Sequence, residues 1–178
     1  MVHVLGKIRR TTTTTLQMKT LLKAGLLALL LIALLSSVSV FARHNGNSPM
    51  QMQDDILQYT NQFRKKQGLP PLQMNESLNG IATTHSRNMA SGRTAFGHSG
   101  FENRVDQAQS SMGRLTAYAE NVAYGQMDGQ EVVNGWIKSR GHRKNMLGNY
   151  NYIGIGVAKG RDGQFYFTQF FVQKPGGR

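Results

Sequence analysis

Three residues of this chain combine a reactive side chain with an unusual local setting: His98, Glu120 and His142. His98 stands in Phe96-Gly-His-Ser-Gly100, between glycines that let the backbone bend closely. His142 follows Gly141 in Gly135-Trp-Ile-Lys-Ser-Arg-Gly-His-Arg-Lys-Asn-Met-Leu147, between the apolar anchors Trp136 and Met146-Leu147. Glu120 lies in Ala119-Glu-Asn-Val-Ala-Tyr-Gly125. Its alternation reads as a strand, where a carboxylate among apolar neighbours is costly unless compensated. The plain reading of that compensation is a structural hydrogen bond or salt bridge; the sharper one is a metal or a pair of histidines. Two imidazoles and one carboxylate suffice for a zinc ion with an open position. Glu131 is a fourth candidate, although its place in a first helical turn is explained by the helix dipole alone.

The elements that must position these groups can be read in turn. A helix is expected from Asp54, with Ile56, Tyr59 and Phe63 on one face, stopped by Gly68 and Pro70-Pro71. Its Arg64-Lys65-Lys66 reads as a solvated helix end. A second helix, capped by Asn75, carries Leu78, Ile81, Ala82, His85 and Met89 at the spacing of a buried stripe, and His85 reads there as a hydrogen-bonded core histidine. Ser91 to Ala95 breaks that helix and delivers His98; a short helix over Phe101 to Ala108 and a loop over Gln109 to Thr116 follow. After the Tyr118 to Tyr124 strand, a helix from Asp128 or Gly129 buries Val132, Val133, Trp136 and Ile137, and Gly141 is expected to interrupt it. Tyr152 to Lys159 and Gln164 to Gln173 form a hairpin around Gly160-Arg-Asp-Gly163. Gly154, Gly156 and Ala158 share a face that permits close approach of another element. The second hairpin strand is apolar on both faces and should be central. With no repeated βαβ unit, this order predicts an α+β domain of α-β-α layers.

At 178 residues, the chain holds one domain with extensions. Met18-Lys-Thr-Leu-Leu-Lys23, the apolar run Ala24 to Leu35 and Val40-Phe-Ala42 have the pattern of a signal peptide. The expected organisation is therefore an extension over 1–17, a signal peptide over 18–42 cleaved near Ala42, a linker over 43–53, the domain over 54–173 and a tail over 174–178. An uncleaved leader would instead anchor the chain to a membrane. Five of the 21 Lys and Arg precede position 43, leaving 16 against 9 Asp and Glu, or +7, which favours contact with anionic surfaces, whether envelope, phospholipid or nucleic acid. The plain alternative is a solvated basic face, since no long Lys/Arg run occurs after position 42. The absence of cysteine excludes disulfides, thiolate metal sites and a cysteine nucleophile. No HExxH, GxSxG or P-loop string is present.

Phe96-Gly-His98, Ala119-Glu-Asn-Val-Ala-Tyr-Gly125, Trp136 with Ser139-Arg-Gly-His-Arg-Lys-Asn-Met-Leu147, Ile153-Gly-Ile-Gly156 and Thr168-Gln-Phe-Phe171, in this order, resemble the CAP superfamily. This is the group of cysteine-rich secretory, antigen 5 and pathogenesis-related proteins, or SCP domains, here in a disulfide-free bacterial form. The resemblance implies a three-layer α-β-α sandwich with a small antiparallel central sheet. It also implies an open cleft holding two His and two Glu that can bind a divalent cation, usually zinc. His98, Glu120 and His142 match three of the four. The second Glu of animal members falls at Ser139, and Glu131 is the nearest acidic substitute. His98 and His142 are expected to ligate the cation, with Glu120 orienting an imidazole rather than touching the metal. The family implies no general enzymatic activity. The function expected is therefore an exported, secreted or periplasmic binding module whose cleft takes a lipid or sterol-like ligand, an anionic envelope component or a protein partner. The alternative is a metal-assisted hydrolase of peptide or envelope polymer. Specific nucleic-acid binding is not expected.

Overall fold

The computed structural model describes residues 48–176. The expected extension, the signal peptide, linker residues 43–47 and the last two residues of the tail lie outside the described residues. The first helix, α1, spans Pro49–Lys66. Ser48 caps it by accepting the Gln51 N–H at 3.2 Å, and Pro49 opens it where a missing N–H costs nothing. Residues 49–53 are thus helical rather than linker, and Asp54 is not the cap. The Ser-Pro pair is the effective start signal, and Met52 beyond it is buried at 1% exposure.

The helix α2, Glu76–Ala90, starts where expected, with the Asn75 side chain accepting the Leu78 N–H. The helix α3, Phe101–Met112, runs a turn past Ala108 and ends at Gly113, whose φ of 81° suits a residue without Cβ. Its last turn is polar because it faces water, not because it is a loop. The strand β2, Ala117–Tyr124, leads into α4, Gly129–Lys138, and α5, Arg140–Met146. The break between α4 and α5 falls at Ser139, which is extended at ψ 122°, while Gly141 lies inside α5. The β3 strand, Tyr152–Lys159, and a last strand, Phe165–Gln173, complete the domain. A two-residue strand over Gln73–Met74 was not expected from the sequence; in chain order it is β1, and the last strand is β4.

The sheet order is β1-β3-β4-β2, antiparallel except for β1 beside β3. The two central strands are the apolar ones, and the edge strand β2 carries Glu120 opposite Phe170. On one face, α1, α4 and α5 bury Ile56, Val133, Trp136 and Met146 against Ile153, Ile155, Phe167 and Phe171. On the other, α2 and α3 bury Leu78, Ala82, Val105 and Ala108 against Phe170 and Val172. This is the expected three-layer α-β-α sandwich. A Cβ added at Gly154 or Gly156 would overlap the backbone of Leu78 or of Ala82 and Thr83, so these glycines set the distance between α2 and the sheet.

Arg64 corrects the reading of a solvated helix end. It is 1% exposed, and its guanidinium donates to the carbonyls of Pro70 (3.0 Å), Met146 (2.8 Å) and Gly148 (2.9 Å). It fastens the C-terminal end of α5 to α1, whereas Lys65 and Lys66 are exposed.

Candidate functional site

Glu120 is placed by β2 on the face packed by α3, and it is 5% exposed. Its charge is met by Arg104 of α3, an arginine on the same helical stripe as Phe101, Val105 and Ala108. The guanidinium forks onto the carboxylate: Nε donates to Oε2 and an Nη to Oε1, both at 2.7 Å. Such two-point charged pairing is among the strongest side-chain contacts. His98 Nδ1 donates to the same Oε1 at 2.9 Å. That bond fixes the ring and leaves Nε2 as the nitrogen available to a ligand, on a side chain that is 52% exposed.

The loop bearing His98 is pinned from below. Arg104 donates to the Ser99 carbonyl at 2.8 Å and the His98 carbonyl at 3.4 Å. Buried His85 of α2 holds the Gly97 carbonyl at 2.9 Å through Nε2, the hydrogen-bonded core role its stripe suggested. Gly97, at φ 137°, supplies a turn that other residues adopt only with strain. Burial and the Arg104 charge push the His85 pKa below the ordinary histidine value, partly offset by Glu120 and the Gly97 carbonyl.

His142 comes from α5, which is locked to β2 by a buried polar chain. Gln169 donates to Thr60 at 2.8 Å. Asn121 donates to Gln169 at 3.1 Å and to the His142 carbonyl at 3.2 Å. Asn145 donates to the Asn121 side chain at 3.0 Å and to the Glu120 carbonyl at 3.1 Å. Thr60, Asn121 and Gln169 are fully buried, so each depends on its partners. The His142 imidazole is half-buried. Its pKa is lowered by that burial and by repulsion from His98, which puts the two rings in electrostatic reach of each other. Beside His98 lies a pocket of about 250 Å³ lined by His98, Phe101, Ala119, Glu120 and Asn145. Exposed aromatics stand near it: Phe96 packs edge-on against Tyr124 at 4.8 Å, and Tyr118 against Phe101 at 5.9 Å.

The fold therefore brings His98, Glu120 and His142 into one region, but not Glu131. The Glu131 carboxylate accepts the Met127 N–H at 2.8 Å, while its own N–H donates to Asp128, a closed capping arrangement at the start of α4. Arg104, Asn121 and Asn145 went unnoticed in the sequence. The visible signal was polarity at apolar positions, an arginine on a helical stripe and an asparagine in a strand. Among the described residues, no group of three or more His, Cys, Asp or Glu side chains is gathered around one metal position. Glu120 is taken up by Arg104 and His98.

Comparison with known proteins places this architecture. The profile of the cysteine-rich secretory protein family, CAP, matches residues 57–174. The uncharacterized Bacillus subtilis protein YkwD is 37% identical over 117 residues, covering 65% of this chain and 45% of YkwD. The crystal structure of an extracellular SCP-domain protein from Bacillus anthracis superposes with a TM-score of 0.62 at 28% identity, covering 71% of this chain and 41% of that one. This chain thus spans less than half the length of both relatives. An outer surface protein from Borrelia burgdorferi shares the fold over 99% of its own length, with a TM-score of 0.58 at 20% identity and 72% of this chain covered. The ordered motifs, the α-β-α layering and the profile match agree, and the chain belongs to the cysteine-rich secretory protein family, CAP, without a single cysteine.

Proposed function

We propose that this protein is an exported binding module whose cleft between the His98 loop and α5 takes an amphipathic ligand, a lipid of the cell envelope in the first instance. The observation that carries the reading is the state of Glu120. Both of its oxygens are engaged by Arg104 and His98, so the carboxylate is a positioning group and not a free base beside a reacting water. What lines the pocket or stands exposed is suited to binding: a fixed imidazole, the half-buried Asn145 side chain, and the exposed rings of Phe96, Tyr118 and Tyr124 for an apolar body. Export is supported by the leader pattern and by the extracellular description of the Bacillus anthracis relative.

A divalent cation fits this site only in part. His98 Nε2 and the His142 imidazole are suitable zinc donors, but structural zinc sites use four protein donors and catalytic ones three. A cation held by two imidazoles would leave most of its coordination to the ligand, supplying a charge that anchors a polar head. Binding is tested by mass spectrometry of the organic extract from wild type and from a His98→Ala/Tyr124→Ala variant. A lipid retained by wild type and lost from the variant supports the reading. Chelator-sensitive hydrolysis of a peptide or envelope polymer by the wild type would overturn it in favour of the hydrolase. Calorimetric titration of zinc into wild type and His98→Ala/His142→Ala tests the cation: the double variant should lose the binding isotherm, and equal affinity in the two removes the metal from the proposal.

A further inference from the structure

A second concavity, of about 350 Å³, lies where the end of α2 meets the β3–β4 hairpin. Its lining includes Arg87, Ser91, Arg93, Lys159 and Arg161, and no carboxylate. Lys159 leans over the Phe165 ring, its Nζ 5.3 Å from the centroid. Among the described residues, the three guanidinium groups, all exposed, make no hydrogen bond, ion pair or ring contact; each salt bridge there goes to Glu120 instead.

These arginines have no structural task to explain their convergence. The Arg87, Asn88 and Met89 carbonyls at the C-terminal end of α2 are already satisfied by the backbone. Ser91 N–H donates to Arg87, Gly92 N–H to Met89, and the N–H groups of Arg93 and Thr94 to Asn88. Gly92, at φ 72°, closes this cap and turns Arg93 back over the helix end. Asp162, the acid beside Arg161, is committed to its own hairpin, accepting the Gln164 N–H and the Tyr166 O–H, both at 3.0 Å. Gly160 lets the turn close on α2, since a Cβ there would stand 3.1 Å from the Ala90 carbonyl. The pocket is therefore built from two tight turns closed by backbone hydrogen bonds, with like charges gathered and uncompensated.

We propose that this pocket binds a phosphate group. Guanidinium presents paired donors that match phosphate oxygens, and three of them suit the charge of about −1.5 to −2 on a phosphate monoester at neutral pH. The phosphate can belong to a soluble ligand or to a lipid headgroup, and the two are separable. Inorganic phosphate titrated calorimetrically into the full chain should bind. An Arg87→Gln/Arg93→Gln/Arg161→Gln variant should bind at least about tenfold more weakly, as expected for loss of charged hydrogen bonds. A control removing three charges from the exposed face of α5, Arg140→Gln/Arg143→Gln/Lys144→Gln, should bind like wild type. Since the three pocket arginines have no partners to lose, the variant should melt with wild type, which separates lost binding from unfolding. Vesicles of equal parts phosphatidylcholine and phosphatidic acid, whose headgroup is a phosphate monoester, form the second arm. Pocket-dependent vesicle binding competed by free phosphate identifies a lipid headgroup, and phosphate binding without vesicle binding identifies a soluble ligand. No binding to either, or equal effects of the two triple variants, overturns the proposal. The His98→Ala/His142→Ala protein should titrate like wild type, so this result stands apart from that of the cleft.

Discussion

A buried carboxylate in a strand can be stabilised by a metal or by another protein charge, and here Arg104 supplies the charge. Two histidines near this pair, His85 and His142, prefer neutrality, chiefly because they are buried. Burial, Arg104 and His98 all disfavour a proton on His85, and burial and His98 disfavour one on His142. Their folded pKa values lie below the ordinary value near 6.5 that the unfolded chain retains. As pH falls below about 6.5, the unfolded chain takes up protons that the folded one refuses, so stability declines; above it the contribution is complete. The urea midpoint should therefore fall between about pH 6.5 and pH 5. His85→Gln, whose amide can still donate to the Gly97 carbonyl, should reduce the fall. An identical pH profile in the variant would show that another group is responsible.

The placement of α5 governs the site at the scale of elements. This seven-residue helix is too short to hold itself, and its position rests on Arg64 at one end and the Thr60-Gln169-Asn121-Asn145 chain along its inner face. Its Arg140, Arg143 and Lys144 are exposed to solvent. Replacing Arg64 by Met would strand the Pro70, Met146 and Gly148 carbonyls in the interior. The expected loss is about 3 kcal/mol or more, since each unmade buried bond costs about 1–3 kcal/mol. Arg64→Lys should recover only part, because one ammonium cannot reach carbonyls that a planar fork spans. Denaturant unfolding of the three proteins measures this, and a loss under about 1 kcal/mol for Arg64→Met would mean that water replaces the guanidinium.

At the largest scale, two cores among the described residues share one sheet, and the distance between α2 and the sheet is set by residues without side chains. Gly156 faces α2 so closely that an added Cβ meets the backbone of Ala82 and Thr83, which cannot rotate aside. Gly156→Ala should cost about 1–3 kcal/mol or more by overpacking. It should also displace α2, and with it His85 and the support of the His98 loop. Trp136 is the counterpart on the other face, 1% exposed within the α4 core, its indole N–H directed at the Val122 carbonyl at 3.4 Å. Denaturant unfolding of Gly156→Ala checks the estimate; wild-type stability would mean that the helix moves without penalty.

The sequence alone determined the helices with clear caps and apolar stripes, the hairpin, the central position of its second strand, and Glu120 as a strand carboxylate that needs a partner. Those signals are local: side-chain periodicity, glycine punctuation and the cost of a charge in a strand are legible wherever they occur. It misjudged Arg64 as solvated, began α1 at Asp54, ended α3 early and placed the α4–α5 break at Gly141. The tertiary structure decided what lies across space. Arg104 is paired with Glu120 from a helix sixteen residues upstream, Arg64 reaches carbonyls more than eighty residues away, and β1 exists only because β3 offers it a partner. Burial of a polar group depends on which element covers it and which donor meets it there, and neither is written in the neighbouring sequence.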